Sequence, residues 1–546
     1  MSAITMKKAT SMNRLLPIVM TAGALVCAAA ANAAAPGIAG PTFNLIAQQA
    51  NINQPDGAQV YSWGYGCNGA PANGFVPTAL AAKATCPSMQ IPGPTLVVTE
   101  GQSITVTLTN NLPTPAGNTS IMFPGFQVSA APTVAQPAGC TAASPAPAGL
   151  LTTEVAPGCS VTYTFTAGSP GTRSYYSGTQ SDLQVEMGLY GAIIVLPKAV
   201  PAACTTGLAA QNLVAELHWG EKDFRLANAA YDHPKTCYDR EYLFQFSEMD
   251  VNIHRTASAQ VAALGSCAAG APGCTLQVPT EPYHPGYFLI NGRSMPDDMD
   301  SNFAAEYPNQ PYNGNPHMHP GEQVLIRVIG QGRWQHPFHE HGNHVRILGR
   351  DGNLILSASD SPTNPSLAGP LMFTTTTTPG LAFDGIFYWT GRGLNWDAYG
   401  HNSKDLLNTP ANLPCTPDVN GYNTGAPTAI NYYEWCQDHL KPLQAAPFGD
   451  VPSGGPATLP DANIFTNGAW YGGSPYLGPD ATTRATGPNS VFQPANTQAN
   501  PANERGYAFM WHSHNEREIT TNNVFPGGMF MMMLVDSREF VIDESN

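Results

Sequence analysis

The sequence predicts an all-β fold, and three observations support this prediction. Charged residues make up 11% of the 546 residues, against about 25% in an average soluble domain. The chain contains 53 glycines and 50 prolines, which interrupt helices and form turns. Between these turn residues lie short runs of Val, Ile, Thr and Tyr that alternate or are continuously apolar, as in strands. We therefore expect many short strands joined by turns, and neither long helices nor coiled coils.

The first 33 residues have the pattern of a secretory signal peptide. Lys7, Lys8 and Arg14 precede an apolar stretch over residues 15–30, and Ala31-Asn32-Ala33 fits a small-x-small cleavage site. We therefore expect residues 1–33 to be removed and the mature protein to be periplasmic or secreted. No later segment approaches the ~20 apolar residues that a membrane helix needs, so no membrane span is expected.

The charge balance argues against two classes of partner. The formal net charge of the chain is -15 at pH 7. An acidic surface is repelled by nucleic-acid phosphates and by anionic lipid headgroups. Neither a nucleic acid nor an anionic membrane surface is therefore expected as a partner.

The cysteine content predicts disulfide bonds. Of eleven cysteines, Cys27 falls in the leader, and an even number in the rest of an exported chain favours pairing. Spacing makes Cys267 with Cys274, and Cys415 with Cys436, the simplest local pairs.

Strand patterns fall into two sets, which predict a first domain over residues 34–203 and a second over 204–546. The first set comprises residues 95–99, 103–108, 161–166 and 190–196. The second set comprises residues 212–217, 242–246, 287–290, 323–329, 344–348, 507–514 and 529–535. The threonine run at 374–378 predicts an edge strand.

A long stretch over about residues 393–504 is rich in Asn, Pro, Gly, Tyr and Ala. A structureless loop of that length is unusual in a compact domain. We interpret it as an insertion in the second domain, pinned partly by Cys415 and Cys436, that covers whatever lies between His341 and His512.

Four histidines fall between residues 336 and 344, in the segment His-Pro-Phe-His-Glu-His-Gly-Asn-His. On a strand, His339 and His341 project from one face and His336 from the other. Far downstream, His512-Ser513-His514 repeats the spacing. Two such pairs on adjacent strands would bring four imidazoles together, a common arrangement for Cu, Zn or Ni. The alternative is a set of polar histidines satisfied by hydrogen bonds.

Two weaker patterns favour ordinary structural roles. His317-Met318-His319 has metal-like spacing but precedes Pro320 and Gly321, so we expect it in a surface turn. The methionine-rich segment over residues 529–533 is expected to be a strand of pliable core side chains.

These segments resemble the multicopper oxidases, a laccase-containing family built from cupredoxin domains. The matching segments are Gln90-Ile91-Pro92-Gly93-Pro94-Thr95 with Gly101-Gln102, Gly188-Leu189-Tyr190-Gly191-Ala192, Phe288-Leu289-Ile290-Asn291-Gly292-Arg293, and the two histidine segments ending at Gly527-Gly528-Met529. The resemblance implies two cupredoxin-like Greek-key β-sandwich domains, the second carrying the insertion.

The resemblance also implies a set of histidine ligands for copper, and this chain has only half of them. In the family, a trinuclear copper cluster that reduces dioxygen takes eight histidines, four from each of two domains. The four second-domain positions are held by His339, His341, His512 and His514. The first-domain positions are held instead by Met122, Pro124, Tyr176 and Gly178.

This chain also departs from the family pattern at the mononuclear copper site. In the family, that copper is bound by two His and a Cys, and often by an axial Met. Ser513 stands where the cysteine is expected and Glu518 where the second histidine is expected, while His336 and Met529 remain. A neutral hydroxyl cannot replace a soft, strongly donating thiolate. Ordinary laccase chemistry is therefore not expected. Assembly into a homotrimer would not restore it, because each copy carries the same substitutions.

We therefore expect one or two copper ions on the four cluster histidines of the second domain. Met122 and Tyr176 would face this pocket from the first domain, and Tyr176 would ligate, hydrogen-bond a water or pack. His336, Glu518 and Met529 are accessory candidates. The resemblance implies copper-dependent oxidoreductase activity with dioxygen or a small reductant. A copper-free scaffold for binding or assembly in the cell envelope, and a copper storage or delivery protein, are the alternatives.

Overall fold

Strands dominate the part of the chain that the computed structural model describes. The described residues are 35–133, 136–137, 140, 152–358, 365–394, 399, 413–438, 473–476, 506–538 and 540–545. The predicted signal peptide and most of the predicted insertion lie outside them. The described residues belong to one compact unit.

The N-terminal part of the chain, residues 37–196, forms two five-stranded sheets. Its elements are β1 (Gly37–Ala39), β2 (Thr42–Asn53), β3 (Gln59–Cys67), β4 (Phe75–Val76), β5 (Leu96–Thr99), β6 (Ser103–Asn110), β7 (Ser129–Pro132), β8 (Ser160–Thr166), β9 (Gly171–Tyr176), α1 (Ser181–Gln184) and β10 (Tyr190–Leu196). The strand orders are β4-β1-β5-β10-β9 and β3-β2-β6-β8-β7. Along β6, exposed or half-buried residues alternate with buried ones, and the buried side chains join a core shared with β5 and β10.

The described elements of the C-terminal part, from Ala203 onward, form two larger sheets. Its elements are α2 (Ala203–Thr206), α3 (Leu208–Trp219), β11 (Arg240–Met249), α4 (Val251–Leu264), β12 (Tyr287–Ile290), β13 (His317–Met318), β14 (Gln323–Gly330), β15 (His336–Glu340), β16 (Val345–Arg350), β17 (Asn353–Leu354), β18 (Leu371–Met372), β19 (Thr374–Thr377), β20 (Ala382–Tyr388), β21 (Gly473–Tyr476), β22 (Gly506–Ser513) and β23 (Phe530–Asp536). One sheet has the order β12-β11-β14-β20-β16-β17, with β18 on β16, and the other β13-β23-β22-β15-β19, with β21 on β22. The protein is therefore all-β, with sheets packed in pairs.

Aromatic and methionine side chains fill the space between the two sheets of the C-terminal part. Phe244 of β11, Phe338 of β15 and Trp511 of β22 belong to one buried cluster, and the ring centres of Phe338 and Trp511 are 6.1 Å apart. Met529 and Met531 lie in the same cluster, as the methionine-rich pattern predicts. This core supports β15 and β22, the strands that carry the histidine segments.

Most strand predictions are confirmed, and one is wrong. The pattern over residues 287–290 is β12, and the threonine run forms β19 at the edge of its sheet. Residues 212–217, predicted as a strand, lie inside helix α3. Leu, Ala and Glu favour helices, and over only six residues an apolar run does not separate the two periodicities. The helix ends at Gly220, whose φ of 98° suits glycine.

Helix α4 was not anticipated, although its start is marked in the sequence. Asp250 is the N-cap, and its side chain accepts a hydrogen bond from the backbone N–H of Asn252 at 2.9 Å. An Asp immediately before an Ala-rich stretch is a recognisable helix start. The predicted domain boundary at residues 203–204 lies in α2, between the two pairs of sheets.

Five disulfides join the ten cysteines that follow Cys27. They are Cys67–Cys86, Cys140–Cys159, Cys204–Cys237, Cys267–Cys274 and Cys415–Cys436. The prediction of disulfides and both of the proposed local pairs are confirmed. Among the described residues, no helix has the length and apolar character needed to cross a bilayer.

Candidate metal centre

The two histidine segments lie on neighbouring antiparallel strands. In the pairing of β15 with β22, His339 stands directly opposite His512, and facing residues of such a pair project from the same side of the sheet. His341 and His514 follow just beyond the two strand ends. Backbone bonds hold them there, from His341 N–H to the Met510 carbonyl at 3.3 Å and from His514 N–H to the Pro337 carbonyl at 2.8 Å.

The four rings form one group. Ring centres are 4.7 Å apart for His339 and His341, 4.7 Å for His339 and His514, 5.2 Å for His341 and His512, and 5.6 Å for His512 and His514. His339, His341 and His512 are buried, whereas His514 is exposed at the edge of the group. The structure thus brings together all four histidines that the spacing singled out.

The nitrogens of three of these rings are close enough to share an ion. One nitrogen each from His339, His341 and His512 lies within 4.8 Å of the others, and the two Nε2 atoms of His341 and His512 are 3.3 Å apart. Two nitrogens bound at 2.0–2.1 Å to one tetrahedral ion would be separated by about 3.3 Å. The donor set therefore fits a metal such as copper or zinc.

Hydrogen bonds orient two of the rings. Nδ1 of His512 donates to the backbone carbonyl of Ser513 at 2.7 Å, which leaves the lone pair on Nε2. Nδ1 of His339 lies 2.6 Å from the Thr374 hydroxyl, because β19 pairs with β15 and places Thr374 opposite His339. Such outer contacts fix ring orientation and tautomer at metal sites.

The electrostatics of the site favour the neutral form of His339 and His512. Burial, followed by repulsion from His512 and His514, lowers the pKa of His339 to about 4. Burial also lowers the pKa of His512. Neutral imidazole is the form that ligates metals, so these two rings are ready to bind at neutral pH.

His336 lies on the opposite face of β15 and is fully engaged there. Its Nδ1 is 2.8 Å from Oε2 of Glu518 and its Nε2 is 2.9 Å from Oε2 of Glu248. Burial lowers the pKa of His336, but the two carboxylates outweigh this effect and raise it to about 9. An imidazolium that donates from both nitrogens has no lone pair for a metal.

The other residues at the implied mononuclear site, Ser513 and Met529, contact Glu518, which is one of the two partners of His336. The Ser513 hydroxyl donates to Oε2 of Glu518 at 2.5 Å. Met529 is buried in the apolar core, and its backbone N–H donates to the Glu518 carbonyl at 2.8 Å. Glu248 also accepts from the backbone N–H of Trp334 at 2.8 Å. A buried ion-pair network therefore occupies the position where the resemblance implies a second copper.

Met122 and Tyr176 pair with each other through their backbones. The N–H of Met122 donates to the Tyr176 carbonyl at 2.7 Å. The Tyr176 ring packs near Gly380, just after β19, and the Met122 side chain packs against Gly178. Within the described residues no hydrogen bond joins either side chain to the four histidines.

Sequence reasoning missed two residues of the site and misplaced another. Thr374 and Glu248 were not recognised as partners of histidines, because each lies on a strand distant in sequence from the histidine that it contacts. His319, expected at the surface, is 1% exposed, and its Nε2 lies 2.7 Å from Glu221. His319 directly follows β13, which pairs with β23, and this pairing encloses the segment. The prediction of a surface turn is wrong for His319.

Comparisons with known proteins agree with the resemblance. Residues 77–200 match the family model described as multicopper oxidase. No curated protein matches the chain. Similar solved structures include the multicopper oxidase mgLAC, with 14% identity over 92% of this chain and 87% of that chain and a TM-score of 0.41. A blue copper oxidase from Nitrosomonas europaea has 15% identity over 90% and 85%, with a TM-score of 0.40. Fet3p, a multicopper oxidase that functions in iron import, has 16% identity over 64% and 46%, with a TM-score of 0.35.

Proposed function

We propose that this divergent multicopper-oxidase-like protein binds one copper ion through His339, His341 and His512 and acts as a copper-dependent oxidoreductase. The observation that carries the proposal is the convergence of three imidazole nitrogens, two of them 3.3 Å apart. His514, the fourth ring of the group, would supply a further donor from the exposed edge.

Copper is the metal that the donor chemistry and the family resemblance favour together. Imidazole suits both Cu and Zn, and Cu(II) binds a given nitrogen site more tightly than Zn(II) does. When bound, copper would supply a one-electron redox couple at the histidine group. The contribution of the chain is to present neutral nitrogens: the Ser513 carbonyl and the Thr374 hydroxyl engage Nδ1 atoms, so that Nε2 atoms face the ion.

A single ion is proposed because the other family position is occupied by protein groups. The two carboxylates that clamp His336 leave it no free nitrogen, and Ser513 offers no thiolate. A reductant would therefore have to approach the histidine group itself. Phe373, whose ring centre is 5.7 Å from that of His339, is 40% exposed and lies at that approach.

The main alternative function, a copper-free scaffold, explains the contact between the Nε2 atoms of His341 and His512 in another way. If His341 carries its proton on Nε2, the 3.3 Å separation from His512 is a hydrogen bond and the histidines stabilise a copper-free scaffold. The disulfides and the predicted leader support an exported location for either function, since disulfides persist in oxidising compartments.

Metal analysis of protein purified from copper-supplied cells tests the proposal. We expect close to one copper per chain, and copper without the intense blue colour of a copper–thiolate centre. The double variant His512→Ala with His514→Ala should lose the metal, whereas the exposed His218→Ala should keep it. Essentially no copper in the unaltered protein would favour the scaffold. Bound copper without oxidation of phenols, ferrous or manganous salts in air would favour storage or delivery.

A further inference from the structure

His514 differs from the other three rings of the group in its support. It lies just past the end of β22, where the strand is followed by a turn. Its backbone N–H donates to the Pro337 carbonyl at 2.8 Å. Its ring centre is 4.7 Å from that of His339 and 5.6 Å from that of His512. The position of this ring therefore depends on how the turn that follows the strand is held.

The Glu518 carboxylate holds the residues on both sides of His514. Its Oε2 accepts from the Ser513 hydroxyl at 2.5 Å, and its Oε1 accepts from the side-chain amide of Asn515 at 2.8 Å. The backbone N–H of Asn515 also donates to the Ser513 hydroxyl at 3.2 Å. Hydrogen bonds to a carboxylate are among the stronger ones in proteins. Any displacement of His514 would disturb these bonds on both sides of it.

Glu518 is itself anchored to two strands. It is 1% exposed, and its carbonyl accepts from the backbone N–H of Met529, next to β23, at 2.8 Å. Its Oε2 also lies 2.8 Å from Nδ1 of His336 in β15. Its backbone N–H donates to the Asn515 carbonyl at 2.8 Å. Glu518 thus ties the turn that carries His514 to the buried framework of the sheet.

We propose that Glu518 is the positioning residue that makes His514 the fourth nitrogen ligand of the copper ion. This inference rests on the proposed function and deepens it, because it assigns the fourth ligand and the group that fixes its place. Glu518 acts through Ser513 and Asn515 and supplies no ligand atom. Outer contacts that hold a ligand in place account for about 10- to 100-fold in metal affinity.

A comparison of Glu518→Gln with Glu248→Gln tests the proposal. Each substitution removes one carboxylate partner of His336, so both disturb the same ion-pair network, but only Glu518 holds the residues beside His514. An amide nitrogen cannot accept a hydrogen bond, so the Glu518 variant loses part of that support. We expect its copper affinity, measured by competition with a chelator, to fall at least about 10-fold, and that of the Glu248 variant to be unchanged.

The Cu(II) EPR spectrum separates a lost ligand from a general loss of stability. It should change in the Glu518 variant, because the ion loses a nitrogen ligand, and stay unchanged in the Glu248 variant. Asn515→Ala is a second variant that leaves both carboxylates on His336, and it should produce the same spectral change. Equal affinities and equal spectra for the Glu518 and Glu248 variants would overturn the inference.

Amide hydrogen exchange of the metal-free protein separates this inference from the proposed function. The N–H of His514 should exchange faster in the Glu518 and Asn515 variants than in the unaltered protein, because the turn is no longer held on both sides. Exchange at the same rate in all three would overturn the role of Glu518. Absence of copper from the unaltered protein would instead overturn the proposed function, whatever the exchange rates are.

Discussion

Nδ1 of His336 lies 2.8 Å from Oε2 of Glu518. With Glu248 on the other ring nitrogen at 2.9 Å, this contact turns a histidine that the family resemblance assigns to copper into the centre of a buried ion-pair network. The two faces of β15 thus carry opposite chemistry. One face holds a protonated ring between carboxylates, and the other holds the rings of His339 and His512, whose pKa values are lowered.

The His336 network should make stability depend on pH. Its pKa is about 9 in the folded protein and about 6.5 when unfolded. Because the folded value is the higher one, the stabilisation is complete below about pH 6.5 and disappears as the pH rises through 9. We expect the free energy of unfolding to fall by up to about 3 kcal/mol across this interval, measured by urea denaturation.

Glu518→Gln tests whether this network is the source of the effect. Removing one carboxylate should lower the pKa of His336, so that stability is lost at lower pH than in the unaltered protein. Glu281→Gln, at a side chain 71% exposed, is the control and should leave the profile unchanged. Identical profiles for the unaltered protein and the Glu518 variant would contradict the assignment.

Thr374→Val should weaken copper binding without removing it. The substitution keeps the side-chain shape and deletes the hydroxyl that contacts Nδ1 of His339. Loss of such an outer contact lowers metal affinity by about 10- to 100-fold, which competition with a chelator measures. Thr374→Ser should restore most of the affinity, and Thr376→Val, at an exposed position of the same strand, should have no effect. Equal affinities for the two valine variants would show that the hydroxyl does not position the ring.

Copper binding should persist to unusually low pH. Protons compete with metals for imidazole nitrogens, and an unperturbed histidine begins to lose that competition near pH 6.5. Since the pKa of His339 is about 4 and that of His512 is lowered, the decline in affinity on acidification should begin below pH 6.5. A decline that begins near pH 6.5 would contradict the preference of these rings for the neutral form.

Trp511→Phe should cost stability while retaining the metal. The indole Nε1–H donates to the backbone carbonyl of His341 at 3.1 Å in a buried setting. The substitution deletes this buried hydrogen bond, which costs about 0.5–1.5 kcal/mol, measured by denaturant unfolding of the metal-free protein. Copper per chain should stay at one, because no ring nitrogen is altered. A copper-free variant would mean that this hydrogen bond is essential for positioning His341.

Local patterns predict the strands well where burial and alternation agree. Residues 287–290 were predicted from a short aromatic and aliphatic run and form β12. Helix α3 was mistaken for a strand because its apolar residues are compatible with both periods over a short window. The sequence also predicts that the histidines lie close together. Residues two positions apart on a strand project from the same face, so His339 and His341 lie on one side of the sheet.

The partners of these histidines could not be read from local patterns. Glu248 is 88 residues from His336, and Thr374 is 35 residues from His339. Their contacts depend on which strands become neighbours, a property of the whole fold rather than of a motif. The raised pKa of His336 was likewise invisible, because it requires two carboxylates from distant segments to meet in a buried space.

The position of β19 has a kinetic consequence. It is the outermost strand of its sheet, and it holds the hydroxyl that steadies His339. Edge strands detach at lower energy than central ones, by local opening without global unfolding. The rates of metal uptake and release would then be set by the local opening of β19. Amide hydrogen exchange in β19 should therefore occur at a rate similar to that of copper exchange.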